Sequence, residues 1–409
     1  MGFTAAEKLL GRRAGRDVKA GEVVTVPVDA ILTNDASGPL SIDYFGKMGV
    51  EQIAHPERIV AIIDHYVPCP NSRVASLQQM LYSFRDRYGI RLVEAGDGIA
   101  HQVFDELGYV RPGAIIIGGD SHTTTHGYLG SFAIGVGASD LASAMITGEL
   151  WMKVPQSIRI ELKGELGKDV TGKDVALYLL SKLGANGANY MALEFTGSGI
   201  GSLSMNDRKT ICNLAAECCA KCAIMPLDEK AESYCRERGL EGERVTADAN
   251  AQYFSRLEID LGSIERMVAK PSRADIAVPA SEISGTEFDM VVIGTCTNGR
   301  IEDFEVFDRI ASEHEGPFAT ETLVIPASRK TLEAMIEKGI LSRLVAKGAM
   351  VLPPGCGPCC GSSPGTPRDG MNVLSTANRN FLGRMGNTKA SIYLSSPITA
   401  AIAACTGRL

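Results

Sequence analysis

Two short apolar runs, each ending in a glycine-rich turn that carries cysteine, constrain this chain more than any other feature. Cys296 lies in VVIGTCTNGR, and Cys356 and Cys359 lie in MVLPPGCGPCCG. The runs before them read as strands buried on both faces, a pattern typical of parallel sheets. In such sheets the turns after the strands line the carboxyl edge, where ligands bind. The expected fold class is therefore α/β, with all three thiols converging at one edge.

The rest of the chain supports that expectation. Strand-like runs at Ala114–Ile117, Ile158–Leu162, Met290–Ile293, Leu323–Ile325, Met350–Leu352 and Ile392–Leu394 are short and largely apolar. Helical patterns over Ile301–Ser312 and Lys330–Lys338 fall between the later ones, which suggests βαβ units. Seams are expected near Val154–Pro155, after the only tryptophan, Trp151, and in the polar stretch Lys270–Gly285. The division expected is 1–154, 155–280 and 281–409. The last segment should hold all three cysteines and stand as a unit from Phe288 onward.

With 409 residues, 45% of them hydrophobic, the chain can bury several cores. A net charge of −7 offers no basic surface and argues against nucleic acid as a partner. No apolar stretch reaches the roughly 18 residues a membrane span needs. The opening MGFTAAEKLLGRRAGRDVKAGE lacks a signal-peptide core, and Glu7 and Asp17 argue against a transit peptide. A short amphipathic helix carrying Leu9 and Leu10 is expected there. Eleven cysteines without a secretion signal point to a reducing cytoplasm, where most should be small buried hydrophobes.

Three converging thiolates suit an iron–sulfur cluster better than a disulfide or a closed zinc site. A 4Fe–4S cluster held by three cysteines leaves one iron open, and an open iron is a Lewis acid, so the chain reads as an enzyme. Pro364 and Pro367 argue against a redox helix after Cys356-x-x-Cys359, and zinc would want a second pair. Cys219-x-x-Cys222 is the nearest such pair. It lies in a strongly helical stretch, where Ile211, Leu214, Cys218 and Cys222 are expected to share an apolar core face. Cys360 is expected to be structural rather than a fourth ligand.

A second constellation is IGGDSHTTTHG. Asp120, Ser121 and His122 follow a buried strand, and an aspartate beside a histidine can orient the ring and raise its basicity. His126 is expected to be a hydrogen-bonded turn residue. Asp64 and His65 end the run Ile59–Ile63, and His101 follows a glycine-rich segment. Asn213 and Glu217, four residues apart, are expected on one helical face. In STANRNFLGR, Arg379 and Arg384 are suited to clamping carboxylates. The glycines of Gly197-Ser-Gly199-Ile-Gly201 have the wrong spacing for a dinucleotide loop.

In order and spacing, GGDSHT, GTCTN, GCGPC and NRNFxGR resemble the aconitase family, and the likeness covers essentially the whole chain. The resemblance implies three α/β domains around a 4Fe–4S cluster bound by Cys296, Cys356 and Cys359. It implies carboxylate–histidine pairs from Asp64, His65, His101, Asp120, His122 and Glu217. Asn34, Ser121, Asn213, Asn378, Arg379 and Arg384 would face substrate. Single-chain members continue into a fourth, swivelling domain, whereas this chain ends at Leu409. A separate small subunit is therefore expected to supply the serine base and a further substrate arginine. Two departures bear on substrate choice: Asn34-Asp35, where relatives often carry His or Gln before the aspartate, and the segment Ser362–Gly370.

The reaction implied is reversible removal of water from a hydroxy di- or tricarboxylate. An isopropylmalate of leucine biosynthesis is the first expectation, ahead of homocitrate, citramalate and 2,3-dimethylmalate. The rival readings differ in kind. An electron carrier would need a fourth cysteine ligand, and an RNA-binding protein would show affinity that falls with salt.

Overall fold

The computed structural model describes residues 2–409. Three sheets organise it. The first has five strands, all parallel, in the order Arg91–Val93, Ile59–Ile62, Ala30–Asn34, Ile115–Gly118 and Phe132–Gly135. The second has four parallel strands, Cys222–Ile224, Met191–Thr196, Gln156–Lys163 and Ser255–Asp260. The third has seven. Ala277–Pro279 and Met267–Ala269 are antiparallel at one edge, followed by Ser391–Ser395, Asn372–Ser375, Met290–Gly294, Glu321–Ile325 and Met350–Val351, all parallel. The central strands Ile59–Ile62, Ile115–Gly118 and Met290–Gly294 are buried along their whole length, as sheets covered on both faces require.

Two expectations need correction. The stretch Lys270–Gly285 is not a seam outside the third sheet. It contains that sheet's edge strand Ala277–Pro279, paired to Met267–Ala269, so the sheet begins well before Phe288. Its polarity reflects an edge position rather than a linker. The helix expected to run through Cys222 stops at Leu214 and tightens into a short 3₁₀ turn over Ala215–Cys218. Cys219 then adopts a left-handed conformation (φ 62°), and Cys222 opens a strand. Cys218 and Cys222 are core residues as expected, but they pack into different clusters.

At Val154–Pro155 the chain passes from a two-stranded ribbon, Glu149–Lys153 paired with Val23–Pro27, into the first strand of the second sheet. The amino-terminal helix Ala5–Ala14 buries Leu9 and Leu10 and carries a Thr4–Glu7 capping box. Its first free N–H groups, those of Ala5 and Ala6, donate to the Glu194 carboxylate of the second sheet at 2.9 and 3.0 Å.

The histidine-bearing segment Ser121–Leu129 is wedged against the second sheet. The Met225 N–H donates to the Gly127 carbonyl at 3.0 Å, and a Cβ on Gly127 would collide with the Ala223 carbonyl oxygen. Backbone cannot yield as a flexible side chain does, so Gly127→Ala should destabilise by about 1–3 kcal/mol or more. Thermal unfolding of the variant checks this, and an unchanged midpoint would contradict the packing described.

Candidate active site

Several parallel strands of the first and third sheets end in loops that carry candidate residues. Asn34 ends one strand, and Asp64 and His65 follow the next. His101 opens the helix after Arg91–Val93, and Asp120–His122 follow Ile115–Gly118. Cys296 follows Met290–Gly294, Cys356 and Cys359 follow Met350–Val351, and Asn378 and Arg379 follow Asn372–Ser375. Short contacts close the two edges on each other. The Ile99 N–H donates to the Ala327 carbonyl at 2.8 Å, and the Cys356 N–H to the Asp64 carbonyl at 2.9 Å.

Asp120 is the hub. Its Oδ1 lies 3.0 Å from His101 Nε2 and 3.4 Å from His122 Nδ1, and its Oδ2 lies 3.8 Å from His65 Nε2. Beyond the hub each outer ring has its own carboxylate. His65 Nδ1 is 2.6 Å from Asp64 Oδ1, and His122 Nε2 is 2.7 Å from Glu217 Oε1. Burial pulls the His65 pKa down, but Asp64, with Asp120 and Cys360 adding, lifts it well above the usual 6.5. Burial opposes charge at His122 as well, and Asp120 and Glu217 outweigh it, so that its pKa is also raised. Burial works to raise Asp120, yet hydrogen bonds from His101 and His122 bring it well below the ordinary carboxylate range. The cluster thus keeps paired charges inside the protein.

Arg379 Nε donates to Glu217 Oε1 and its Nη2 to Ser121 Oγ, both at 2.8 Å. Asp35, next to Asn34, fixes the Asp64–His65 loop by accepting the N–H groups of Asp64, His65 and Tyr66 at 2.9–3.2 Å. Asn34 serves its own turn. Its amide oxygen accepts from the N–H groups of Ala36 and Ser37 and from Ser37 Oγ, which leaves only its amide nitrogen for anything else.

Cys296, Cys356 and Cys359 are buried together with Ile99, Ala327 and Ala377. The left-handed backbone of Thr295 (φ 67°), after Gly294, turns Cys296 into this group. The Asn213 and Asn378 amides donate to Cys296 Sγ at 3.4 and 3.3 Å, and Arg384 Nη2 comes within 3.8 Å of Cys359 Sγ. Burial pushes the Cys296 thiol up to about 12, so a thiolate there calls for cationic company. Cys359, which accepts from Cys356 and faces Arg384, moves the other way, well below its usual value.

The donor set fits a cluster better than a single ion. Among the described residues only Asp35, Asp64 and His65 bring three ligand atoms within 4.8 Å of one another. Three sulfurs spread wider than that cannot share one tetrahedral ion with bonds of about 2.3 Å. The Asp35–Asp64–His65 group is itself committed to hydrogen bonds, Asp64 Oδ2 taking the Ala100 N–H at 2.7 Å. Arg384 Nε is buried with no partner among the described residues, so the pocket has an unused donor beside the cysteines.

A profile of the aconitase family (aconitate hydratase) matches residues 7–289 and 279–407. This chain belongs to the aconitase family. Curated members of the family are similar to it over full length. The large subunit 1 of 3-isopropylmalate dehydratase from Methanopyrus kandleri is 41% identical over 411 residues, covering 100% of this chain and 98% of its own. That from Thermotoga maritima is 43% identical over 411 residues, with the same coverage. The probable large subunit from Methanothermobacter thermautotrophicus is 40% identical over 412 residues, again covering 100% and 98%. Among solved structures, aconitase X from Thermococcus kodakaraensis in its holo-form superposes with a TM-score of 0.53 at 11% identity. The match covers 92% of this chain and 89% of that one, and it shows the shared α/β fold alone.

Within this aconitase-family chain, three site features differ from the sequence expectation or escape it. Glu217 and Asn213 do reach the site, but from a 3₁₀ turn and a helix end rather than from one helical face. His126 lies in the 3₁₀ turns of Ser121–Leu129, as a turn residue should, but is deeper than its sequence suggests. Its ring is buried against Phe104, with Nε2 3.4 Å from His101 Nδ1, and burial together with His101 keeps its pKa well below 6.5. Lys173, which sequence reasoning passed over, reaches the Asn378 turn from the second sheet's helix. Its only signal was a lysine beside a capping aspartate, a pairing common on surfaces.

Proposed function

We propose that this protein is the cluster-bearing large subunit of a hydro-lyase that reversibly dehydrates a hydroxy dicarboxylate. Its substrate would be 2-/3-isopropylmalate, in leucine biosynthesis. The observation that carries the reading is Asp120, tying three histidines together opposite three buried cysteines. The full-length likeness to proteins named 3-isopropylmalate dehydratase large subunit supports the choice of substrate. Cytoplasmic residence belongs to the same reading, supported by eleven cysteines that are all free.

A 4Fe–4S cluster on Cys296, Cys356 and Cys359 would supply Lewis acidity toward a hydroxyl and a neighbouring carboxylate, worth several kcal/mol. The chain's own residues would do the rest. His65, the most accessible of the three hub histidines (side chain 16% exposed against 5% for the others), holds the proton for the departing hydroxyl. Asp64 fixes its tautomer. Arg379 and Arg384 offer N–H groups to substrate carboxylates, while Asn213 and Asn378 hold the polar floor around Cys296. The carbon-bound proton would pass to a serine of a small subunit, whose swivelling domain also brings a further arginine.

The raised pKa of His65 gives the proposal a pH signature. The acid form is full below the ordinary value near 6.5 and is lost as pH rises through the raised value, so kcat should fall on the alkaline side. Any stability that this charge contributes disappears over the same window. Asp64→Asn removes the partner that lifts the ring, and should move the alkaline limb of the kcat profile to lower pH. A limb that stays in place would assign the acid to another group.

The deciding experiment reconstitutes the chain anaerobically with iron and sulfide, with and without a small subunit. Absorbance of the unsaturated product would be followed across isopropylmalate, homocitrate, citramalate and dimethylmalate. Activity only with the partner, and strongest on isopropylmalate, is the expected result. Preference for another acid would overturn the substrate, and inactivity on all four despite a full cluster would overturn the reaction.

A further inference from the structure

The helix Gly172–Leu183 carries a lysine where physical chemistry disfavours one. Lys173 is 0% exposed, and lysine is almost never fully buried without a charged partner. It also sits in the helix's first turn, where the backbone dipoles repel cations. Burial pulls its pKa down to about 7 even though the cysteines oppose that shift. Within the helix only the charge of Asp174 offsets part of this cost. The adjacent Asp174 faces elsewhere, accepting the Met267 N–H at 2.9 Å and bonding with Thr171.

What Lys173 does touch is the cysteine pocket's scaffold. Its Nζ donates to the carbonyl oxygens of Thr376 and Ala377 at 2.7 and 2.5 Å. Those are the two residues immediately before Asn378, whose amide nitrogen donates to Cys296 Sγ at 3.3 Å and whose oxygen lies 3.6 Å from Cys359 Sγ. Two neutral carbonyls can be satisfied by a neutral donor and do not call for a full charge. The charges that answer Lys173 are, largest first, those of Cys359 and Cys296 and then those of Asp174 and Asp303. Arg384 also reaches Cys359 but is partly exposed, where water weakens its field; Lys173 acts through dry protein, where a charge is felt more strongly.

We infer that Lys173 is a positioning residue for the cluster: it clamps the Thr376–Asn378 turn behind Cys296 and Cys359, and its protonated amino group is a buried cation that favours the cluster's more negative, reduced state. The inference rests on the cluster reading given under the proposed function. It goes beyond that reading by assigning control of the cluster's electronic balance to a residue that is closed off from solvent. Reduction places one more electron on the cluster, and a cation nearby stabilises it. Removing the cation therefore lowers the potential and makes oxidative loss of iron easier.

The test uses the holoenzyme with its small subunit and two variants. Lys173→Gln keeps N–H donors for the two carbonyls but drops the charge, and Lys173→Met drops both. The midpoint potential would be measured by dye-mediated titration read by electron paramagnetic resonance, and iron release would be timed under ferricyanide. Both variants should show a more negative potential and several-fold faster iron release than the wild type. An unmoved potential in Lys173→Gln with a full cluster overturns this inference alone. If neither cluster-free variant folds, by circular dichroism, the lysine is a structural clamp and the inference also fails. A wild-type chain that takes up no iron and sulfide overturns the cluster reading itself, and this inference with it.

Discussion

Cys296→Ser is expected to yield a folded chain that no longer keeps a full cluster, with activity in the presence of the small subunit lower by about 10³-fold or more. The fold should persist because the new hydroxyl inherits polar neighbours. Asn213, Asn378 and Thr297 already surround Cys296 Sγ. The cluster should not persist, because a serine hydroxyl is a hard, weakly acidic ligand where iron and sulfide select thiolate. Losing several kcal/mol of Lewis-acid stabilisation corresponds to three or more decades of rate, at about 1.4 kcal/mol per decade. Iron and sulfide content per chain, measured beside activity, checks the result. A serine variant with a full cluster and undiminished turnover would remove Cys296 from the ligand set.

Asp120→Asn should cost about 10²–10⁴-fold in kcat, the usual worth of a positioned proton transfer. The substitution is nearly isosteric, so the strand end and the Ser121–Leu129 segment should stay in place. What disappears is the charge shared by His101, His122 and His65. Without it burial faces less opposition, and the pKa of His122 should fall toward or below its ordinary value. The loss should fall in kcat rather than KM, because on the proposed reading Arg379, Arg384 and the asparagines would still hold substrate. Steady-state kinetics across pH would separate these, and a variant that lost only substrate affinity would show that Asp120 is a binding residue.

The sequence made some parts of this molecule legible and hid others, for identifiable reasons. Cys296, Cys356, Cys359, Asp64 and Asp120 could be found because each follows a buried strand that writes itself as an unbroken apolar run. Ala30–Asn34 was harder to see: it ends in the polar Thr33 and Asn34, and Asn34 spends its side chain on the turn. The helix break after Leu214 was invisible because the apolar spacing continues through Cys218. The interruption comes from Cys219 in a left-handed turn, set by how the strand Cys222–Ile224 must enter its sheet. Lys173 and His126 were undervalued because their meaning lies in residues 203 and 25 positions away. Local pattern carries no trace of such pairings.

The Glu194 carboxylate that receives the first N–H groups of the opening helix has a consequence for the living ribosome. A ten-residue helix is marginal by itself, and this one lacks that anchor until a residue 189 positions later has emerged. At about 5–20 residues per second, synthesis leaves this helix waiting roughly 10–40 s. During that interval Leu9 and Leu10 can pack only against the earlier part of their cluster, without Ala192, Cys222, Ile224 and Val245. The waiting helix is therefore a natural handle for chaperones, and its docking reports that the strand Met191–Thr196 has arrived.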